Sequence, residues 1–303
     1  MTAPAQPNVR AALLLALSGF ATLSIGDALV KTMAGQWPGT AVAMLRYTSA
    51  ALGLALLVAL TEGRKAFRVP KPWLQFGRGA GVSIATICFF LGVMAIPLAD
   101  ATAIQFTSPI ITAMLAPVFL KERATGAVWF AMALAFAGVL VVLRPNVLAL
   151  GAAAFYPLGA AAGMACLMIC NRKAAGAASP VAMQFYAAMM AAPILIAATL
   201  VFAMIWPSQF EVGAPPASVV IKCLVIACTA TVAHLLIYMA AVRASPAIVA
   251  PMTYVQLLVA AMLGWLIFGA APDLSTFAGA ALIIGGGLLL WRSQKPQDIP
   301  EPE

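Results

Sequence analysis

The sequence predicts an all-α integral membrane protein in which ten transmembrane helices form two inverted five-helix repeats. Three observations carry that prediction. First, of 303 residues 64% are hydrophobic and 9% charged, with a mean hydropathy of +1.02. Soluble domains carry about 25% charged residues, so too little polar side chain exists here to cover a water-soluble globule. Second, the apolar residues fall into ten runs of spanning length separated by short connections. At ~20 residues per span, ten helices use up the chain and leave no soluble domain. Third, the last five runs echo the first five.

The runs lie at roughly 9–33, 38–60, 73–96, 101–120, 125–143, 153–173, 181–205, 218–242, 246–268 and 274–291. The opening MTAPAQPNVR is polar and leads straight into a full-length span, so it reads as the approach to a first helix and not as a cleaved signal. Turn-forming GQWPG, PLAD, RPN and GAAPD stop successive helices, and the longest connection, TEGRKAFRVPKP, is basic. The fourth run carries Gln105, Ser108 and Thr112 at i, i+3 and i+7, one stripe on one helix face. Lipid tolerates such a stripe only where it faces protein or water. Pro109 and Pro117 in the same run free the carbonyls of Gln105 and Ala113, which predicts a kink.

Basic residues set the orientation. With the N-terminus inside, Arg10, Arg64, Lys65, Arg68, Lys71, Arg78, Lys121, Arg123, Arg172, Lys173, Arg243, Arg292 and Lys295 fall at cytoplasmic ends. Lys31, Arg144 and Lys222 fall at outer ends, and Arg46 lies inside a span. That asymmetry places both termini in the cytoplasm of a bacterial-type inner membrane. The net charge of +8 is thereby explained by topology and lipid head groups, without nucleic acid. Cys88, Cys166, Cys170, Cys223 and Cys228 lie in apolar runs with no CxxC spacing, so buried free thiols are expected, with no disulfide or metal role.

Sliding residues 101–144 by 148 positions lays them on 249–292 without a gap: Ala113-Met114-Leu115 meets Ala261-Met262-Leu263, Gly138 meets Gly286 and Arg144 meets Arg292. At the same offset Ser83 meets Thr231, Thr86 meets His234, Gln105 meets Thr253 and Ser108 meets Gln256, while Thr112 meets Ala260 and Pro109 meets Leu257. A shift of 144 sets Gly19 on Gly163 and Asp27 on Asn171. The units are 1–144 and 145–292, followed by a tail at 293–303. Because five is odd, the second unit enters the membrane upside down, the architecture of secondary transporters with a site near midplane between the halves.

These residues also carry a family likeness. Paired five-helix halves, the Arg46-Tyr47 dipeptide in the second span, and a fourth helix running A-x-A-x-x-x-x-x-x-P into Leu120-Lys121-Glu122 resemble the EamA branch of the drug/metabolite transporter superfamily. Within it, the GDALVK of the first span, Arg78-Gly79 in the third and Asn171-Arg172-Lys173 closing the sixth look like the branch of S-adenosylmethionine and amino-acid carriers. The resemblance implies transport of such solutes, mostly by export, with S-adenosylmethionine uptake as the alternative. In one respect the chain departs from the family: the ninth helix ends in Gly269-Ala270 and not Gly-Glu, leaving Glu122 without a symmetric partner.

Two charged residues stand inside spans, where each costs about 2.5–3.5 kcal/mol on insertion scales. Asp27 and Arg46 lie at matching depths, ~9–12 Å from the outer boundary at ~1.5 Å per residue, so they are expected to meet as a gating or structural ion pair. His234, the single histidine, shares one face of its helix with Thr231 and Tyr238 and suits a proton site. A metal is not expected, since no Cys or carboxylate is spaced to join it. The expected substrate cavity is polar but nearly uncharged, lined by Ser83, Thr86, Gln105, Ser108, Thr231, His234, Tyr238, Thr253 and Gln256.

The absence of a P-loop excludes ATP as the energy source, and no nucleophile–His–carboxylate set points to an enzyme. The sequence thus predicts a secondary active transporter, without cofactor, moving a small polar metabolite such as an amino acid or amino-acid derivative by alternating access. Its expected partners are that small molecule and membrane lipid, with proton coupling possible, in a monomer or homodimer. A lipid flippase or a channel is the reading from another class.

Overall fold

The computed structural model describes residues 9–33, 35–95, 98–144, 151–207, 212–269 and 272–293. Residues 1–8, Lys295 with the rest of the tail, and Ala270 lie outside the described residues, as do parts of the PLAD and RPN connections. Every regular element among the described residues is helical: α1 (Val9–Lys31), α2 (Gly39–Thr61), α3 (Pro72–Ala95), α4 (Leu98–Gln105), α5 (Ser108–Leu120), α6 (Gly126–Leu143), α7 (Phe155–Lys173), α8 (Pro180–Ile205), α9 (Ala217–Arg243), α10 (Pro246–Val249), α11 (Val255–Phe268) and α12 (Leu274–Ser293), with short 3-10 turns between some of them. They make 10 helices long and apolar enough to cross a membrane, the fourth running Ala101–Leu120 and the ninth Pro246–Ile267. The chain is a multi-pass membrane protein.

Packing obeys a two-fold relation between the halves. If span n matches span n+5, the pairing of α3 with α7 must be mirrored by α9 with α1, and α5 with α7 by α11 with α1. Both pairs of contacts are present. So are α3 with α8 and its mate α9 with α2, while α2–α8 and α6–α12 are their own mates. Small residues set these approaches. A Cβ on Gly138 would sit 2.5 Å from the Gly279 carbonyl oxygen, and one on Gly286, its mate at offset 148, would sit 2.6 Å from that of Ala131, the mate of Gly279. With no hydrophobic force between helices in lipid, such close backbone contact is what holds spans together.

The helix ends repeat as well. Thr125 accepts from Val128 N at 3.4 Å to cap α6, and Asp273, 148 positions on, accepts from Thr276 N at 2.9 Å to cap α12. Lys121 closes α5 in the left-handed region at φ 59°, and Gly269, again 148 positions on, closes α11 at φ 68°.

The kink expected at Pro109 is present: the fourth span breaks between Gln105 and Ser108, with Pro109 at the start of α5. Pro109 has no mate at offset 148, yet the ninth span also breaks, into α10, a 3-10 turn at Ala250–Tyr254 and α11. Pro251 stands in that turn and removes a donor in the same way at another register. The thiols also differ from expectation: all five are free, but Cys166 and Cys228 are exposed and Cys223 alone is fully buried.

Candidate functional site

A chamber opens between the two halves, enclosing about 550 Å³ of empty volume with the open solvent at its mouth included. Helices of both repeats wall it. From α2 come Arg46, Tyr47, Ala50 and Leu54; from α3, Arg78 and Val82; from α7, Leu167 and Asn171; from α8, Gln184; and from α9, Thr231 and His234. The spacings of the α2 and α9 residues follow a helical face, so one stripe of each helix turns inward. Small residues on α8 and α9, Ala187, Ala188, Ala227 and Ala230, leave the room.

Arg78 makes the chamber floor. Its side chain is 1% exposed, and it spans three helices. Nε donates to Asn171 Oδ1 of α7 at 2.6 Å, while Nη1 donates to Gln75 Oε1 on its own helix at 2.7 Å and to the Met183 carbonyl of α8 at 2.5 Å. The guanidinium lies over the Tyr238 ring of α9, 5.4 Å from its centroid. Beneath it a buried cluster of Leu54, Val58, Met183, Phe185, Tyr186 and Tyr238 seals the end where α3 and α8 begin. The α2–α3 connection locks on from outside: Phe67 packs edge-on to Phe185 at 5.3 Å, and Tyr186 Oη donates to the Ala66 carbonyl.

Two arginines therefore line one chamber, and no carboxylate does. This corrects two expectations. Arg78 is not a basic residue at a cytoplasmic helix end, and the chamber is not nearly uncharged. The sequence reading missed Arg78, Asn171, Gln184 and Tyr47 as lining residues. A signal was available, since an arginine one turn after Gln75, with Asn171 at the repeat position of Asp27, is a polar set too deep for the head groups.

Of the residues expected in the cavity, Thr231 and His234 line it, and Arg46 joins them. Tyr238 lies in the floor beneath Arg78 and does not line the chamber. The others stand elsewhere because packing uses their polar atoms. Ser83 is fully buried and donates to the Ala191 carbonyl of α8 at 3.4 Å. Thr86 donates to Val82 O of its own helix. Thr253 donates to Gln256 Oε1 at 2.8 Å, and the Gln256 carbonyl accepts from Ser24 of α1 at 3.0 Å. Gln105 and Ser108 flank the break in the fourth span, outside the chamber.

Asp27 and Arg46 are not joined by an ion pair; among the described residues the ion pairs are Arg172–Glu122 at 2.9 Å and Arg144–Asp273 at 3.1 Å. Asp27 is exposed on the surface of α1 and does not line the chamber. Arg46 stacks on Tyr47, 5.0 Å from its ring centroid. Arg172 instead ties down the ends of three spans, donating to Glu122 and to the Ala241 and Val242 carbonyls that close α9.

Chemically, the arrangement suits a small anionic or zwitterionic solute. Guanidinium forks match carboxylates, and the amide and hydroxyl groups bind polar atoms. Among the described residues no cluster of His, Cys, Asp or Glu is arranged to hold a metal.

The model of the EamA-like transporter family matches residues 10–144 and again residues 151–292. The chain is 26% identical over 279 residues to the S-adenosylmethionine uptake transporter of Rickettsia prowazekii, across 92% of both chains. It is 28% identical over 267 residues to the riboflavin transporter of Rhizobium johnstonii, across 87% of this chain and 84% of that one. It is 27% identical over 290 residues to a pseudopaline exporter of Pseudomonas aeruginosa, across 95% and 98%. A solved crystal structure shares the fold with a TM-score of 0.76 at 18% identity, across 92% of this chain and 96% of its own.

Proposed function

The chain belongs to the EamA-like transporter family, and from that premise we propose that it carries a small carboxylate-bearing amino-acid derivative of the S-adenosylmethionine type across the inner membrane. It is a carrier and not an enzyme. The observation that supports this substrate class is the pair of guanidiniums, Arg46 and Arg78, facing one chamber that no carboxylate lines. Arg78 is buried and Arg46 half-buried, and a buried cation without a resident anion leaves an uncompensated charge. A bound carboxylate supplies the compensation, and Asp27, outside the chamber lining, meets the substrate's cationic end on its way in. Similarity to S-adenosylmethionine uptake transporters over about nine-tenths of the chain adds to this reading.

Transport proceeds by alternating access, with the repeats 1–144 and 145–292 rocking about the chamber and both termini in the cytoplasm. On that orientation the sealed floor faces inward and Asp27 faces the outer vestibule. Substrate carboxylate competes with Asn171 Oδ1 and the Met183 carbonyl for Arg78, and so loosens the bonds that tie α3 to α7 and α8. Relatives include both uptake and export carriers, so direction follows the gradients supplied.

Counterflow in proteoliposomes tests the proposal. Saturable exchange of labelled S-adenosylmethionine, competed by amino-acid derivatives that keep a free carboxylate and not by their methyl esters, is the expected result. Competition by riboflavin alone would overturn the substrate class while leaving the carrier. Asp27→Asn should weaken zwitterions more than simple carboxylates; equal effects on both would remove Asp27 from the site.

A further inference from the structure

A second cavity, sharing no residue with the chamber, lies between the first, fifth, ninth and tenth spans and encloses about 750 Å³ of empty volume, open surroundings included. Its walls are apolar. Leu13 and Leu17 of α1, Ala131 and Ala135 of α6, Met252 and Leu258 of the ninth span, and Ile283 to Trp291 of α12 form a groove. From Ile283 to Trp291 is about 12 Å at ~1.5 Å per residue, most of one leaflet of a ~30 Å hydrocarbon core. Its flanks, Leu14, Ile284 and Leu288, are each more than half exposed, so they face the bilayer.

The mouth of the groove is cationic. Arg10 is exposed and its guanidinium lies over the Trp291 ring, 5.7 Å from the centroid. Trp291 lines the groove. Arg292, the next residue, is exposed on the last turn of α12. Among the described residues neither arginine joins an ion pair, and the first turn of α1 carries no acidic residue.

We propose that this groove is a binding site for an anionic glycerophospholipid, with one acyl chain laid between α1, α12 and the ninth span and its phosphate held by Arg10 and Arg292. Each part of the lipid finds its complement. The chain fits an apolar trough of leaflet depth, the glycerol region meets the indole of Trp291, which suits a membrane interface, and the charged head meets two guanidiniums. An anionic head is favoured over a zwitterionic one because, among the described residues lining the groove and its mouth, there is no carboxylate to receive a choline or ethanolamine cation. The site also bridges the repeats, since α1 and α6 belong to the first half and the ninth span and α12 to the second.

Gly287 provides the test. A Cβ there meets nothing within 4 Å, unlike at Gly286, where one meets the Ala131 carbonyl. Gly287→Leu therefore intrudes on the groove without disturbing the α6–α12 contact and favours the helix. The full chain, stripped of lipid in detergent, is titrated with phosphatidylglycerol or phosphatidylcholine and read by native mass spectrometry and by unfolding temperature. Wild type is expected to retain one phosphatidylglycerol in preference to phosphatidylcholine. Gly287→Leu should lose that lipid and its thermal shift while unfolding at the wild-type temperature without lipid. Arg10→Gln and Arg292→Gln should each weaken phosphatidylglycerol about fivefold, the change that ~1 kcal/mol per basic residue at an anionic surface corresponds to. If Gly287→Leu is itself unstable, Leu17→Trp fills the trough from the opposite wall and serves instead. Equal retention of the two lipids by wild type, or phosphatidylglycerol retention unchanged by filling the groove, overturns the proposal in favour of unselective annular lipid.

Discussion

Replacing Arg78 with methionine keeps the length and apolar stem of the side chain and deletes the fork that joins α3 to α7 and α8. Three hydrogen bonds are lost, to Asn171 Oδ1, Gln75 Oε1 and the Met183 carbonyl. Bonds from an ionised donor contribute about 1.5–3 kcal/mol each, about 4.5–9 kcal/mol in sum, against which stands the several kcal/mol returned by no longer burying a charge. Interhelical bonds in bilayers average nearer 0.6 kcal/mol, which sets the lower end near 2 kcal/mol. The net loss is therefore about 2–4 kcal/mol. At roughly 2–4 °C per kcal/mol for a large single chain, Tm should fall by about 4–16 °C. A thiol-reactive dye reads it in a background where the other four cysteines are replaced by alanine, because Cys223 is buried and labels only on unfolding. The same variant should lose thermal protection by substrate, which at a hundredfold excess over Kd amounts to about 2.7 kcal/mol. Arg78→Lys keeps the charge but cannot fork, and should recover protection in part while remaining less stable than wild type. An Arg78→Met protein that melts within a degree of wild type and is still protected by substrate would refute both the latch and the carboxylate site.

Lys121 holds the left-handed C-cap that glycine holds at Gly269; Lys121→Gly should stabilise the protein by about 1 kcal/mol, read as a small rise in Tm. Gly163→Ala should unfold or mispack the bundle, since its Cβ would lie 2.6 Å from the Gly81 carbonyl, whereas Gly264→Ala on α11 meets open space and should be neutral or stabilising. Asp273 lies outside the spans, and hydrogen bonds from Ser275 and from the Thr276 amide and hydroxyl, with Arg144 adding to them, hold its carboxyl below the usual range. A carboxylate depressed in the folded state stabilises above its unfolded pKa of about 3.9 and loses that effect only as pH falls through the folded value. Asp273→Ala should accordingly lower Tm by the same amount from about pH 5 to pH 9, and a difference that vanishes near neutrality would contradict the capping role.

The fold was legible because bilayer physics acts on composition and run length, which single sequences carry directly. Segment bounds drawn from hydropathy lie within a few residues of the helices, and the 148-residue offset reappears in the contacts of Gly138 and Gly286. Site residues were less legible. Ser83, Thr253 and Gln256 have the right polarity, but a hydroxyl or amide in a span is satisfied equally by a neighbouring carbonyl, and only side-chain direction separates the two fates. Arg78 was mistaken for an end residue because basic residues near helix starts ordinarily snorkel outward. Here Trp73 at the start of α3 is 84% exposed and Arg78, five residues on, is 1% exposed; the helix begins outside the packed bundle and its arginine turns in.

Symmetry explains why Asp27 has no ion-pair partner among the described residues. Its repeat mate is Asn171, at offset 144, and Asn171 is held by Arg78. The mate of Arg78, at offset 148, is Ile226 on α9. A Cβ on Gly26, the neighbour of Asp27, would lie 3.7 Å from Ile226 Cγ2, so Ile226 meets α1 one residue before Asp27, which is exposed where Gly26 is buried, and a long side chain at 226 has to reach it around the helix. One half thus carries a closed latch and the other an open one, with a carboxylate present and its cation replaced by an alkyl group. Ile226→Arg should close it. The new guanidinium is buried, since Ile226 is 1% exposed, and it costs stability unless Asp27 compensates it. In a double-mutant cycle with Asp27→Asn, the pair should show a favourable coupling of about 1 kcal/mol or more, and transport should fall as α1 is pinned to α9. Absence of coupling, or transport at the wild-type rate with the pair in place, would mean that Asp27 and Ile226 do not stand in the relation that Asn171 and Arg78 do.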